Sequence, residues 1–562
     1  MANQNIEFSR LFKNSMKPSL SEMLVILVCS LGFASGRQYI QTGYLTDKVA
    51  LLIYSVFYFV VFYCSSMFIQ SFISRHVFDS KNYLRKLFEL APYKQLVVFT
   101  LIILTAWLPI ILSLYPGTLS NDTTNQLCQY IAVFERDLPW HLQDHHPVFD
   151  TLVIGWVVCT SANTFRSLHW GIFTYCVLQA ILTAITISAC CMYIKSKLRA
   201  SDISMLVIGL FVCLCPLFPV WSMNISKDAL FSWLYIWFLM FFIEIVRTRC
   251  KVLEKRSFIV LFVVSCLLIT LTKKTGVYIV AGSVFVLVAV FRKSAQTTII
   301  AGVCSVLLIF VLLPVLFSFF NIEPGGKQEM FSVPFQQTAR YVLLHDDEVT
   351  QEEKTAIDAL LDYDTLADRY YFSTADTVKG YRERGGKQQY LSWARVWFIQ
   401  GIKHPETYFD AAAGLNAPWL SFIPISSLFD SNWHIASSPE VIPDSVYEQN
   451  AQQRLLSQSI KDYYYSFVAV PGLGILMSEG LYAILLPALA LILILKSKQS
   501  DQTVGLVPVF ISILFLFLSP EASGTEAGRY ILPMVYSAPL LFMYGISVFH
   551  FHQEAFSSLE RK

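Results

Sequence analysis

"VFDTLVIGWVVCTSA" (148–162) is the stretch on which the architecture turns. It is apolar enough to be read as a membrane span. At about fifteen residues it falls short of the roughly 20 that a hydrocarbon core of about 30 Å requires. If it crossed, every later loop would change sides. Just before it lies a polar island, "YPGTLSNDTTNQ" (115–126) and "DHHP" (144–147), set between long apolar runs. The reading of 148–162 therefore decides which side of the membrane holds that island.

Working outward, the chain of 562 residues is 55% apolar and 15% charged, with a net charge of +2 and a mean hydropathy of +0.52. This profile belongs to a polytopic membrane protein and not to a large soluble one, and no nucleic-acid partner is expected. Apolar runs predict twelve transmembrane helices, near 20–36, 49–72, 96–114, 169–194, 203–221, 229–247, 257–272, 276–291, 298–320, 479–496, 503–519 and 529–549. The first has no small-residue cleavage site and reads as a retained span.

Basic residues set the orientation. Arg10, Lys13 and Lys17, the loop 73–95, "KSKLR" (195–199), "RTRCKVLEKR" (247–256), "RK" (292–293), "KSK" (496–498) and the terminal "RK" (561–562) all fall on one side if both termini are cytoplasmic. The intervening short loops are poorer in Lys and Arg. The pattern holds only if 148–162 does not cross, so it reads as a surface-lying or re-entrant helix on the outer, extracytoplasmic face. Residues 466–478 ("SFVAVPGLGILMS"), with a Pro-Gly break, read the same way.

Residues 321–465 differ in composition. They hold 20 acids and 12 bases, a charge of −8 against +10 for the rest of the chain. They read as one mainly α extracytoplasmic domain of ordinary size, between an N-terminal membrane module (1–320, with the outer loop 115–168) and a C-terminal one (466–562). "TQEEKTAIDALLDY" opens with a capping box of Thr350 and Glu353. "QQYLSWARVWFIQGI" (388–402) and "HPETYFDAAAGL" read as helices, 416–445 as a long loop, and 446–464 as a helix re-entering the membrane. None of the twelve cysteines falls in this domain, so no disulfide framework is expected there. "NDT" (121–123) and "NIS" (224–226) match glycosylation sequons and read as chance matches.

The polar residues suggest chemistry at the outer face. Asp122 sits among hydrogen-bonding neighbours; if the stretch is helical, Asp122, Gln126 and Gln129 share one face. A fixed carboxylate at the lipid–water boundary suits general-base work, and equally suits capping the helix. In "DHHP", His145 and His146 can bond sugar or phosphate oxygens, with Pro147 fixing the turn. Alternatively Asp144, His145 and His146 could ligate a divalent metal, or the pair could be a plain surface turn. "WSMNISKDALF" (221–231) adds Lys227 and Asp228, "LTKKTGVY" (271–278) adds Lys273 and Lys274, and "SPEASGTEAGRYILP" (519–533) adds Glu521, Glu526 and Arg529. Charged groups at membrane depth are expensive and often functional, and several cations in one outer cavity suit a phosphate leaving group.

On these pieces the chain resembles the polytopic membrane glycosyltransferases of the C-type (GT-C) fold, which include protein O-mannosyltransferases and bacterial enzymes that add sugars to lipid A or cell-wall glycans. "PGTLSNDTTNQ", "DHHP" and 148–162 match their catalytic Asp, His-Pro turn and second surface helix. "SKD" (226–228), "VPFQQTAR" (333–340), "STADTVKG" (373–380), "HPETYFDA" (404–411) and "RYILP" (529–533) look like a poorly characterised bacterial branch of that superfamily. The resemblance implies inverting transfer of a sugar from a polyprenyl-phosphate donor to an envelope glycan, lipid or protein. It gives Asp122 the role of base and leaves the donor phosphate to Arg529, Lys227, Lys273 and Lys274. Gln126, His145, His146, Asp228 and Glu526 are then substrate contacts, and no metal or other cofactor is needed. The chain departs from the family in having two extra leading spans and Asn121-Asp122 in place of an acidic pair. The rival readings are a transporter or flippase for a lipid-linked or anionic substrate, and a scaffold for envelope assembly.

Overall fold

In a computed structural model of the protein, the structure describes residues 18–76, 85–119, 121–138, 140–380, 384–425, 441–442, 450–518 and 527–559. The leading helices are α1 (Leu20–Thr42), α2 (Lys48–His76) and α3 (Pro92–Ser113). The polar island carries α4 (Asn121–Tyr130), and α5 (Val148–Phe165) follows it. Next come α6 (Leu168–Lys197), α7 (Asp202–Leu214), α8 (Lys227–Arg247), α9 (Arg256–Thr272), α10 (Gly276–Phe291) and α11 (Ile299–Leu307). Each hydroxyl of Ser19, Ser201 and Ser226 accepts a backbone N–H in the first turn of the helix it precedes. These caps satisfy amides that a helix start leaves without a partner.

Each of the twelve expected spans coincides with helix, but the lengths differ from expectation. Among the described residues, nine helices are long and apolar enough to cross a membrane. The nine include Val148–Phe165, at 18 residues longer than the sequence suggested, and treat Gly276–Phe319 as one path of 44 residues. Asp202–Leu214, Arg256–Thr272 and Leu481–Lys496 are apolar but shorter. The expected span 203–221 is the clearest correction. It breaks after Leu214, because Pro216 has no N–H for the helix and disfavours helical geometry in Cys215 before it; a separate turn, Leu217–Ser222, continues.

α5 and α6 form a hairpin joined at Arg166 and Ser167, with Arg166 in the left-handed region at φ 52°. Gly171, in the first turn of α6, packs against the Val158 carbonyl. Further along α6, Gln179 donates to the carbonyls of Ser222 (2.9 Å) and Asn224 (2.8 Å), which tie it to the strand leading into α8. The start of α5 also lies at that level, since His146 touches Lys227. α5 therefore runs from the polar site to the beginning of α6. Nearer the start of α5, Gly155 lies under the Tyr130 ring of α4.

The region after α11 builds a second core. α12 (Ser332–His345), α13 (Gln351–Leu361), α14 (Lys387–Lys403) and α15 (Pro405–Asn416) surround Phe335, Val342, Ile357, Leu366, Trp393 and Leu415. The Thr350–Glu353 capping box is present in both directions. Trp393 and Trp419 are fully buried, so their rings serve packing and not an open surface. This core ends near Leu415, whereas Trp419, Ile425, Ile460 and Tyr464 join the large core of the apolar helices. α16 (Ala451–Ala469) ends before Pro471-Gly472, where the sequence predicted a break. α17 (Leu486–Lys496), α18 (Val507–Leu518) and α19 (Leu532–Leu559) complete the chain.

The second core is latched to α1. The guanidinium of Arg340, fully buried, pairs with Asp410 at 2.9 Å and donates to the Gly43 carbonyl at 3.1 Å, while the Tyr39 hydroxyl donates to Asp410 at 2.6 Å. At Gly36 the backbone of α1 touches the carbonyl of Leu420 so closely that a Cβ would sit 2.4 Å from it.

The packing predicts two unequal glycine substitutions. At Gly155 a Cβ would meet Tyr130 Cγ at 2.0 Å, and at Gly209 nothing lies within 4 Å. Gly155→Ala should lower stability by about 1–3 kcal/mol, whereas Gly209→Ala should leave it unchanged or raise it by up to about 1 kcal/mol. Thermal unfolding of the detergent-solubilised protein checks both.

Candidate functional site

Two parallel strand pairs of two residues each bring distant segments together. β1 (Thr118–Leu119) pairs with β3 (Asn224–Ile225) in the register Thr118 to Asn224 and Leu119 to Ile225. Asp122 follows β1 by three residues and Lys227 follows β3 by two, so this register lays one beside the other. Asn224 Nδ2 donates to Thr118 Oγ1 at 2.8 Å, and the Thr123 hydroxyl donates to the Ile225 carbonyl. Gly117 makes the approach possible. Its φ of +120° is open to glycine alone without strain, and a Cβ there would meet Cys176 Sγ at 2.3 Å. β2 (Gln143–Asp144) pairs with β4 (Glu323–Pro324), which sets "DHHP" against the entrance to the helical region.

At the centre is Asp122, its side chain a quarter exposed. Its Oδ2 lies 3.0 Å from Lys227 Nζ and 3.0 Å from Arg529 Nη2. Arg529 reaches it from the turn Ala527–Ile531 at the head of α19 and is almost wholly buried. Behind this pair, Asp228 is fully buried, 2.7 Å from Lys273 Nζ and 3.6 Å from Arg529 Nε. Three cations thus face two carboxylates in one connected cluster, drawn from four separate stretches of chain. Asp228 sits in the first turn of α8, behind the Ser226 cap, where the helix dipole favours a negative charge.

Protonation follows from this arrangement. Burial pushes the Asp122 carboxyl upward, but Lys227 and Arg529 together more than offset it and hold it well below the usual carboxylate range. Burial, reinforced by Lys227, pushes His146 down to about 2, so its ring is neutral. Lys227 Nζ donates to His146 Nδ1 at 2.9 Å, which leaves the proton on Nε2, directed toward Asp122 Oδ1 at 3.7 Å. His145 stacks edge-on against His146 with ring centroids 4.5 Å apart, and burial lowers it too.

The remaining predicted residues fall as follows. Lys274 stands apart from the cluster, half-exposed and paired with Asp144 at 3.2 Å. Gln126 is buried and turned toward α5, where it donates to Thr151 Oγ1 at 3.0 Å. Gln129 bonds Asn125 and the backbone of Gln143, bracing the DHHP loop. Glu521 and Glu526 lie outside the described residues. Asp144, His145 and His146 do not converge on one point, since His146 faces Lys227 and Asp122 while Asp144 faces Lys274. Sequence reasoning gave no role to Asp150, which is fully buried in the first turn of α5 with neither carboxylate oxygen hydrogen-bonded. The signal available was its spacing of three residues from Pro147, one turn inside the helix that the proline begins.

A bundle of long apolar helices that carries a buried charge cluster where several of them begin is an integral membrane protein with a polar site at one end of its spans. The chain belongs to a family of unknown function, DUF6020, whose profile matches residues 136–557. No curated protein matches it. Among solved structures it is similar to ArnT from Cupriavidus metallidurans. The crystal structure bound to undecaprenyl phosphate is 13% identical and the apo structure 14%; in each, 82% of this chain and 78% of that chain are covered at a TM-score of 0.29.

The cluster predicts a contrast in stability. Asp228→Ala would leave Lys273 without its carboxylate and Arg529 with Asp122 alone, and should cost about 3–5 kcal/mol. Lys274→Ala removes a half-exposed pair and should cost less than about 1 kcal/mol. Thermal unfolding in detergent again provides the measurement.

Proposed function

We propose that this protein is a membrane glycosyltransferase that moves a sugar from a polyprenyl-phosphate donor to a hydroxyl of an envelope acceptor, with Asp122 as general base. The observation that carries the reading is the meeting of Asp122 with Lys227 and Arg529, both 3.0 Å from one carboxylate oxygen. The donor is a phosphodiester with one negative charge, and the departing lipid phosphate carries about −1.5 to −2. Cations fixed at that spot gain more from the product than from the donor, so they favour bond breaking.

The chemistry runs as a single displacement. The acceptor hydroxyl gives its proton to Asp122, its oxygen bonds the anomeric carbon from the face opposite the phosphate, and the carbon–phosphate-oxygen bond breaks. The electron pair leaves with the phosphate, which Arg529 and Lys227 hold, with Lys273 behind them. Neutral His146 and its neighbour His145 orient the sugar or the phosphate. In this reading the site faces outward, both termini are cytoplasmic and α5 lies along the outer surface, as the basic loops suggest. The helical region after residue 320 offers a surface for the acceptor.

Asp122 held by two cations is a poor base. Donor phosphate competes for those cations, and each cation it draws away raises the carboxyl's proton affinity. Binding of the donor therefore switches the base on.

Two outcomes follow. Purified protein in liposomes, given labelled polyprenyl-phosphate sugars and envelope acceptors, should transfer the sugar; Asp122→Asn should lower kcat by about 10²–10⁴. Near-normal transfer by that variant removes Asp122 as base, and movement of the lipid across the bilayer without cleavage makes the protein a flippase. The pH profiles carry the second outcome. In the free protein Asp122 stays ionised above about pH 4, and the stability it adds there is lost as pH falls toward its depressed value. With donor bound its value rises, so the acid limb of kcat should lie at higher pH than that of kcat/KM. Coincident limbs would show that the cations do not leave Asp122.

A further inference from the structure

In the helical region after residue 320, two motifs meet. His345 ends α12, Glu348 closes the turn Asp346–Glu348 that follows, and His404 joins α14 to α15. His404 Nε2 lies 3.1 Å from both oxygens of Glu348, and His345 Nδ1 lies 3.9 Å from one of them. The three ligand atoms are all within 4.8 Å of one another.

The other nitrogen of each ring is already engaged. His345 Nε2 is 3.0 Å from Thr407 Oγ1, and His404 Nδ1 is 3.3 Å from Glu406 Oε1. His404 stands between two carboxylates, with Nδ1 facing Glu406 and Nε2 donating to both oxygens of Glu348, so a metal would take the place of the Nε2 proton. In the tautomer whose Nε2–H donates to Thr407 Oγ1, His345 Nδ1 carries the lone pair that a metal needs. Outer partners that fix each tautomer are the usual support of metal-bound imidazoles.

We propose that His345, Glu348 and His404 form a binding site for a divalent cation of the zinc class. Two imidazoles and one carboxylate are a zinc donor set, with water completing the tetrahedron. Ligand atoms around zinc sit about 3.3 Å apart, given bonds of about 2.0–2.1 Å. The imidazoles are stacked with centroids 3.7 Å apart and planes 17° from parallel, so both rings would have to turn out of the stack to point their nitrogens at one ion. The site pins the last turn of α12 to the α14–α15 junction, so zinc would staple the helical region from within one chain. It is independent of the transfer chemistry.

The test uses full-length protein in detergent, stripped with chelator and titrated with ZnCl₂ by calorimetry, with thermal unfolding in parallel. One zinc per chain and a raised Tm are expected, with Mg²⁺ producing neither. His404→Ala and Glu348→Gln should remove the binding, and Thr407→Val should weaken it about tenfold. Where a variant unfolds, Co²⁺ bound to the unmodified protein provides the second readout: a visible absorption band of tetrahedral nitrogen and oxygen ligation. No zinc uptake, or uptake that Glu348→Gln leaves unchanged, overturns the site and makes a proton the cation in the gap.

Discussion

A carboxylate drawn below the solvent edge of an apolar bundle must bring its own cations with it, and the rest of this molecule is arranged around that requirement. Asp122 and Asp228 sit where α4 and α8 begin. Their counter-charges come from Lys227 in the next register position, Lys273 in the turn between α9 and α10, and Arg529 at the head of α19. No local stretch supplies this neutralisation. Removing a buried charge from water costs several kcal/mol for each ion, so the helices that carry the partners have to converge at one level. The two-residue pairing of β1 with β3 is what holds Asp122 at that level, and Gln179 anchors the same strand from within the bundle.

Much of this was legible in the sequence because each signal was local. Apolar runs marked the helices, Thr350 and Glu353 announced their capping box, and the Pro-Gly pair at 471–472 marked the end of α16. The cluster itself was accessible only as a list of residue types at the ends of apolar runs, since charges at membrane depth are expensive wherever they occur. That Lys227, Lys273 and Arg529 share one knot while Lys274 turns to Asp144 depends on the direction in which each helix end points, and periodicity does not encode it.

The misreadings have equally physical reasons. Hydropathy over 203–221 stays high across Cys215-Pro216, so it joins what the proline divides. The acidic region after residue 320 was bounded by charge, but its own core ends near Leu415, and the apolar residues that follow pack into the bundle. Charge reports solvent exposure and hydropathy reports burial; neither says which of two cores a buried residue joins. Asp150 was left without a role because no diagnostic spacing links it to the DHHP turn, and only burial without hydrogen bonds sets it apart.

The latch between Arg340 and α1 has an implication for how such chains can vary. Asp410, Tyr39 and the Gly43 carbonyl together surround a guanidinium that has no exposure. A homologue without the first hairpin would lose half of that cage and would have to surrender the arginine as well, or else cover it anew. Presence of the leading hairpin and of an arginine at position 340 should therefore be inherited together, as two halves of a single acquisition.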